Sequence, residues 1–514
     1  MKATIIIDRD YVIGEIDKRL AAAHVEHAGR GVYNGIVEPG HPMADEEDMR
    51  KDVIRSVQEL GVPAIRYPGG NFVSNYNWMD GIGPKENRPV RLELAWAQIE
   101  PNTFGTDEFM SWIKKVGNCE PMLTVNLGSR GMEEAAALLE YCNYPKGTYF
   151  SDLRRKYGSE EPYHVKTWFL GNEMDGPWQL GHLSGKEYGR KAANAGFAMK
   201  CMFKDLELVL VGSSSNRMYN YPDFMADALE IAYDQTDLVS LHRYYGGHDG
   251  GWEHGTEDFL AMSLDLENFI KGSVATCDYV KAKRRSEKTV NLSIDEWDIW
   301  PMIPHESLRL NEVSPWYFGG PLAEGSVTFE QFMVGCFYNL AVLRHADRVK
   351  MLCVDLLINV SGPIRTEIGG GLWRQPHYYI MQHIAKYGKG TVLGACIRSP
   401  KYDSASFTDV PFVDAVPVYD EQADTLTIFA ASRSMKEDIL LDLDLRAFED
   451  FTPSWHISVH NEDLNAVNGP DGETIYPVSQ TGTVSGENGH FTVSVKGMSW
   501  NVIRFTGRNS SAEM

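Results

Sequence analysis

Glu173 stands in the run Trp168-Phe-Leu-Gly-Asn-Glu-Met-Asp175, directly after the apolar stretch Val165 to Leu170. Glu296 stands in Leu292-Ser-Ile-Asp-Glu-Trp297, after another such stretch. Each carboxylate is thus delivered by the last residues of a predicted β-strand, and a parallel α/β barrel places its chemistry at such strand ends. Two acidic groups converging on one cleft are the minimum equipment for splitting a glycosidic bond. A single Glu at a strand end is more often a surface or ion-paired group, so the reading rests on there being two. Asp295 precedes Glu296, and strand alternation predicts that it points to the other side, as a structural carboxylate. Asp175, two residues beyond Glu173, is expected to shape its loop.

The elements that must position this pair are legible between residues 20 and 385. Eight apolar runs with polar C-terminal ends occur there: Ala23–Glu26, Ala64–Tyr67, Met122–Leu127, Val165–Asn172, Leu208–Ser213, Leu238–Tyr244, Val290–Glu296 and Val349–Asn359. Between them, segments such as Asp45–Leu60, Phe109–Val116, Gly131–Tyr141, Gly185–Phe203 and Leu264–Arg285 carry helix-period apolar spacing and few prolines. Strands alternating with helices imply a parallel sheet. Eight such units predict a (β/α)8 TIM barrel over 18–385. The alternative is a doubly wound sheet, but no G-x-G-x-x-G turn follows the first strand. In a barrel, strands four and seven lie three apart, so Glu173 and Glu296 face each other across one pocket. The other strand ends offer Glu26-His27, Arg66 to Asn71, Asn126, Asn172, His242 to Tyr245 and Asn359. These amides, hydroxyls and carboxyls, with rings close by, suit a polyhydroxylated ligand.

After residue 385 the pattern changes to period two. Leu441, Leu443 and Leu445 alternate with Asp442 and Asp444, and Trp455, Ile457 and Val459 with His456 and Ser458. Turn signals such as Asn468-Gly-Pro-Asp-Gly472 separate the short runs. An all-β sandwich over 386–507 is predicted, with a strand from 1–17 joining it and a disordered tail at 508–514.

Composition narrows the function further. The 514 residues carry 49 Lys plus Arg against 71 Asp plus Glu, a net charge of −22. Such a surface repels nucleic acid and anionic membranes. The seven cysteines are odd in number and scattered, with no C-x-x-C, which argues for reduced thiols rather than a disulfide or zinc framework. No run has the length of a membrane span, and the N-terminal apolar run is too short for a signal peptide. A cytoplasmic protein is expected. The loop 246–257 holds His248, Asp249, Glu253 and His254, but Gly-rich polar loops are usually just mobile, and no metal is predicted. Lys281 to Arg285 closes a helix, where cations suit the helix C-terminus. Ser213-Ser-Ser215 lacks the G-x-S-x-G turn of an α/β-hydrolase.

Gly171-Asn-Glu-Met-Asp-Gly-Pro-Trp-Gln179, Asp295-Glu-Trp-Asp-Ile-Trp300, Arg66-Tyr-Pro-Gly-Gly-Asn-Phe-Val-Ser74 and Trp373-Arg-Gln375 resemble the α-L-arabinofuranosidases of glycoside hydrolase family 51. Glu38-Pro-Gly-His41 and Ser240-Leu-His-Arg-Tyr-Tyr245 fit as well, and the resemblance runs over essentially the whole chain. It implies Glu173 as general acid/base and Glu296 as nucleophile. It implies Asn172 on the sugar 2-hydroxyl, Glu26, Asn71 and Gln375 on other hydroxyls, and Tyr244 near the nucleophile. Arg66 would keep Glu296 ionised, and Trp96 and Trp300 would shape the sugar pocket. It further implies a cytoplasmic homo-oligomer, commonly a hexamer, without a cofactor, acting on arabinan- or arabinoxylan-derived oligosaccharides. One departure is the run Leu20-Ala-Ala-Ala-His-Val25 ahead of Glu26, where the family usually carries a Tyr-Gly-containing run. The loop 301–325 is individual and could select the aglycone. Double displacement needs carboxyl groups about 5–5.5 Å apart, against about 6.5–9.5 Å for an inverting pair. The rival readings are another retaining barrel glycosidase, such as an endo-β-xylanase or endoglucanase with an open cleft, and a non-catalytic carbohydrate-binding barrel.

Overall fold

The computed structural model describes residues 1–301 and 316–508. The expectation of a disordered tail therefore lies outside the described residues except at Arg508, and the loop 301–325 is described only at its two ends. Eight parallel strands close into a barrel: Ala22–His24, Ala64–Tyr67, Glu120–Thr124, Thr167–Phe169, Glu207–Ser213, Leu238–Gly246, Asn291–Trp300 and Val349–Val354. The last pairs with the first through Cys353 opposite Ala22. These are the eight runs read from the sequence, in the same order. Ala22, Ala64, Met122, Phe169, Val209, Leu238, Met351 and Cys353 form a buried cluster of their own, drawn from seven of the strands, so the barrel is a packed core and not a pore.

Helices cover the outside, among them Lys51–Leu60, Thr106–Val116, Gly185–Met202 and Ser263–Arg284. The first is shorter than its apolar period suggests. Asp45 Oδ1 accepts the backbone N–H groups of Glu47 and Met49 at 2.9 and 3.0 Å, which holds a turn there, and the helix starts only at Lys51. Helix Phe329–Leu343 is buried on nearly every side, because it lies between the barrel and the β-domain.

The β-domain is one ten-stranded sheet. Its order runs Val478–Gln480, Thr452–His460, Ser499–Thr506, Thr425–Ser432, Val413–Asp420, Thr391–Arg398, Lys2–Glu15, Ile439–Asp444, His490–Val495 and Val484–Glu487. The N-terminal strand is antiparallel to Thr391–Arg398 and parallel to Ile439–Asp444. The sheet folds over itself: Phe491 and Phe505, far apart in the strand order, meet with ring centroids 4.9 Å apart. Leu426, Ile428 and Ala430 line this inner core, while the alternate residues Phe429 and Ala431 join the cluster that continues into the barrel. Both faces of that strand are covered, which is why Thr425–Ala430 reads as an almost continuous apolar run.

Candidate functional site

The fourth barrel strand ends at Phe169, and Leu170 to Glu173 carry the chain over the rim. Glu173 itself has a left-handed backbone, φ 44°, unusual for a residue with a side chain. The turn is held by Gly176 N–H donating to Glu173 O at 2.9 Å and Leu183 N–H to Met174 O at 3.0 Å. Across the barrel, the seventh strand runs on to Trp300 and carries Glu296 on its inner face. His242, on the sixth strand, stands between the two acids. Its Nδ1 lies 2.9 Å from Glu173 Oε1 and 3.0 Å from Glu296 Oε2, and one oxygen of each acid and this nitrogen lie within 4.8 Å of one another.

Further side chains close round the pair. Arg66 on the second strand donates from Nη1 to Glu296 Oε1 at 2.7 Å and from Nη2 to Asn172 Oδ1 at 2.5 Å. Tyr244 donates to Glu296 Oε2 at 2.7 Å and lies 2.8 Å from Asp355 Oδ2; Asp355 Oδ1 is 2.5 Å from His24 Nδ1. The indole N–H of Trp178 donates to Glu173 Oε2. Asn172 Nδ2 reaches Asn71 Oδ1 at 3.4 Å. On the first strand's extension, Glu26 Oε1 accepts from Phe72 N–H and Trp96 Nε1, both at 2.8 Å. That approach depends on Gly69 and Gly70, at φ 36° and 55°. A Cβ on Gly70 would fall 2.0 Å from Glu26 Oε2, and one on Gly69 1.8 Å from His24 Nε2.

Strand alternation placed Asp295 on the far side from Glu296, and the structure does not. The pairing of the seventh strand with the sixth goes from Ile294 opposite Leu241 to Glu296 opposite His242, so Asp295 is an inserted bulge residue. Asp295 Oδ2 lies 3.5 Å from Arg66 Nε and 3.5 Å from His242 Nε2, beside the same two cations that hold Glu296. Asp175 ties down its loop: Ser214 N–H donates to its Oδ2 at 2.9 Å.

These contacts set the two acids apart electrically. Burial raises Glu173 above the usual carboxylate range and the Glu296 charge adds to this, while the contact with His242 only partly opposes it. Burial pushes Glu296 the same way, but His242 and Arg66 override it and hold that carboxyl well below the usual range. Burial works against a charge on His242, yet Glu296, Asp295 and Glu173 keep its proton held well above the ordinary histidine value. Burial, then Asp355 and Glu296, push Glu26 up.

The cavity measures about 480 Å³ and is lined by Glu26, Asn71, Trp96, Glu173, Trp178, Tyr244, Glu296 and Trp300, among others. A size of a few hundred Å³ is that of a small-molecule site (roughly 300–1,000 Å³). One flank is closed by a buried apolar group, Ala28, Leu322, Ala323, Leu356 and Val360, with Trp96 and Trp300 packed on it. Gln375 stands apart from the other expected site residues. Like Arg66 and Asn172 it is not among the residues lining the cavity, but unlike them it bonds elsewhere: its Oε1 accepts from Val327 N–H at 3.1 Å, and its buried Nε2 has no hydrogen-bond partner among the described residues. Sequence reasoning offered His242 among the strand-end groups without giving it a role, and passed over His24, Asp355 and Trp178 as site residues. His242 had a signal: it is two residues from Tyr244 on one strand and therefore on the same face. Among the described residues, two groups of side chains bring metal-ligating atoms together: Glu173, His242 and Glu296, and His24, Glu26 and Asp355. Both lie in this pocket and not in the loop 246–257.

Comparison with known proteins agrees with this geometry. Residues 56–250 match the model of the alpha-L-arabinofuranosidase 1 domain, and residues 295–499 that of the alpha-L-arabinofuranosidase C-terminal domain. An intracellular exo-α-(1→5)-L-arabinofuranosidase 1 of Bacillus subtilis is 49% identical, with 98% of this chain and 99% of that protein aligned. The corresponding enzyme of Halalkalibacterium halodurans is 47% identical over the same shares. The solved structure of AbfB, a family 51 α-L-arabinofuranosidase from Bifidobacterium longum, superposes with a TM-score of 0.91 at 37% identity, covering 98% of this chain and 99% of that one. With its barrel, its opposed glutamates and these relatives, the chain belongs to the α-L-arabinofuranosidases of glycoside hydrolase family 51, a family of retaining glycoside hydrolases.

Proposed function

We propose that this pocket releases single terminal α-L-arabinofuranosyl residues by double displacement, with Glu173 as acid/base and Glu296 as nucleophile. The observation that carries the reading is the close, unequal pair of acids bridged by His242; one oxygen of each within 4.8 Å of the other supports a retaining pair (about 5–5.5 Å) over an inverting one (about 6.5–9.5 Å). Glu296 attacks the anomeric carbon as the glycosidic bond breaks, and the Glu173 proton goes to the departing oxygen. Water then attacks the arabinosyl ester, giving its proton to Glu173 and releasing Glu296. In the covalent intermediate the Glu296 charge is gone, so Glu173 loses part of what holds its proton and can act as base. Arg66 and Tyr244 steady the nucleophile. Asn172, Glu26 and Asn71 meet the sugar hydroxyls, and Gln375 is given the same task on the strength of its free Nε2. Trp96 and Trp300, on the closed apolar flank, favour an exo-acting pocket over the open cleft of an endo-enzyme.

The substrates in this reading are oligosaccharides from arabinan, and the names of the Bacillus and Halalkalibacterium relatives support an α-(1→5) linkage and a place inside the cell. Among the described residues no helix is long and apolar enough to cross a membrane. A homo-oligomer is part of the same proposal. Its support is exposed apolar surface at Val90, Leu92 and Leu94, and at Trp316 and Phe318 on the segment bridged to that hairpin. Hydrolysis of p-nitrophenyl α-L-arabinofuranoside with the product anomer followed by NMR tests the mechanism. Retention is expected, and inversion would overturn it. Rates on α-(1→5)-arabino-oligosaccharides against arabinoxylo-oligosaccharides test the linkage, and light scattering tests the assembly.

A further inference from the structure

The bulge in the seventh strand has a chemical consequence. Asp295 is fully buried, and neither of its carboxylate oxygens has a hydrogen-bond partner among the described residues. A buried carboxylate without hydrogen bonds is costly unless cations compensate it. Two do: Arg66 Nε, itself without a hydrogen bond, and His242 Nε2, each 3.5 Å from Asp295 Oδ2. Apart from Glu296, Asp295 is the one described carboxylate that pairs with both of these groups. A regular strand would have turned it outward and left the His242 ring with nothing behind it. A residue needed only to fill space would not be an acid, since an apolar side chain there carries no desolvation cost.

We propose that Asp295 is a positioning residue: its carboxylate orients the His242 ring, Nε2–H towards Asp295 and Nδ1 towards the gap between Glu173 and Glu296, and thereby sets how many protons the catalytic pair holds. The proposal rests on the roles given to Glu173 and Glu296 above. The ring has two nitrogens and three carboxylates around it. With Nε2 committed to Asp295, Nδ1 alone serves the reacting pair, and it bridges both acids through each displacement step. Other groups face this centre: His24 from the first strand, Asp175 beyond the fourth, Tyr188 from helix Gly185–Met202, and Cys353 and Asp355 from the eighth. None of them pairs with His242 Nε2.

The test is Asp295→Asn, which keeps size and removes charge. Loss of a negative charge beside His242 and the pair lowers the proton affinity of all three groups. Both limbs of the kcat/KM pH profile on p-nitrophenyl α-L-arabinofuranoside should therefore move to lower pH by half a unit or more, together with a fall in kcat. The shift should be much smaller in a His242→Asn background. A lower rate with an unmoved profile, or the same shift without His242, would overturn the proposal. Neutron diffraction of the unaltered enzyme covers the case where the variant does not fold: deuterium is expected on His242 Nε2, and a bare Nε2 would refute the orientation. Failure of the catalytic reading is separately visible, because Glu296→Ala would then keep its activity whatever Asp295 does.

Discussion

Two clusters of buried charge in this molecule are built on opposite lines. At the junction of barrel and β-domain, Arg344 forks onto Asp414 with bonds of 2.7 and 3.0 Å, while Glu267 takes Arg344 at 2.8 Å and His345 at 2.9 Å. Every carboxylate there has its cations, and burial of Asp414 and Glu267 is outweighed, so both are held below the usual range. In the pocket, His242 is shared among three carboxylates, the Asp295 carboxylate has no hydrogen bond among the described residues, and Glu173 and Glu26 are pushed up by burial. A saturated network is mechanically firm and chemically silent. An undersatisfied one is unstable locally, but its groups have proton affinities pushed away from their ordinary values, as general acid/base chemistry requires.

The contrast predicts different failures. The largest is Glu296→Ala, which should cost on the order of 10⁴-fold or more in kcat on every arabinofuranoside. Glu173→Ala should lose on the order of 10²–10⁴-fold on natural linkages and far less on activated aryl glycosides; equal losses on both would remove it from the acid/base role. Arg344→Ala should do the reverse. It leaves buried Asp414 with only the longer pair to Arg433, at 4.0 Å, and should destabilise by roughly 3 kcal/mol in urea titration, with the pH profile of activity unmoved. The sign with pH also separates the clusters. Asp414 and Glu267 are lowered in the fold, so their contribution is full above the ordinary carboxylate value and disappears as pH falls through their lowered ones. On the proposed roles, activity should instead rise as Glu296 loses its proton and fall as Glu173 loses its own, which puts the expected basic limb above the ordinary carboxylate value. The smallest effect is expected for Trp178→Phe. Its indole N–H stabilises ionised Glu173, so its loss should move the basic limb up in pH with only a few-fold change in rate.

Much of the scaffold was legible because its signals are local. Apolar runs with polar ends marked all eight barrel strands, and period-two alternation marked Leu441 to Leu445 and Trp455 to Val459. Regularity misled in two places. The apolar period of Asp45–Leu60 concealed a turn made by the Asp45 side chain, since side-chain competition for backbone N–H groups leaves the period intact. Strand alternation sent Asp295 to the wrong face, because a bulge is a property of how two strands pair and not of either strand's composition.

The residue types at the strand ends, and their order along the chain, determined that two glutamates, an arginine, asparagines and a tyrosine would meet at one mouth, because closing eight parallel strands allows nothing else. Which atom faces which was decided only by the tertiary structure. The bulge brought Asp295 beside Glu296, barrel closure set His242 between the acids, and the Gly69-Gly70 turn let Glu26 approach. Burial pushed both of two chemically identical carboxyls up, and His242 and Arg66 pulled Glu296 alone well below the usual range, because desolvation and the nearest cation depend on distances in space that no spacing in the chain encodes.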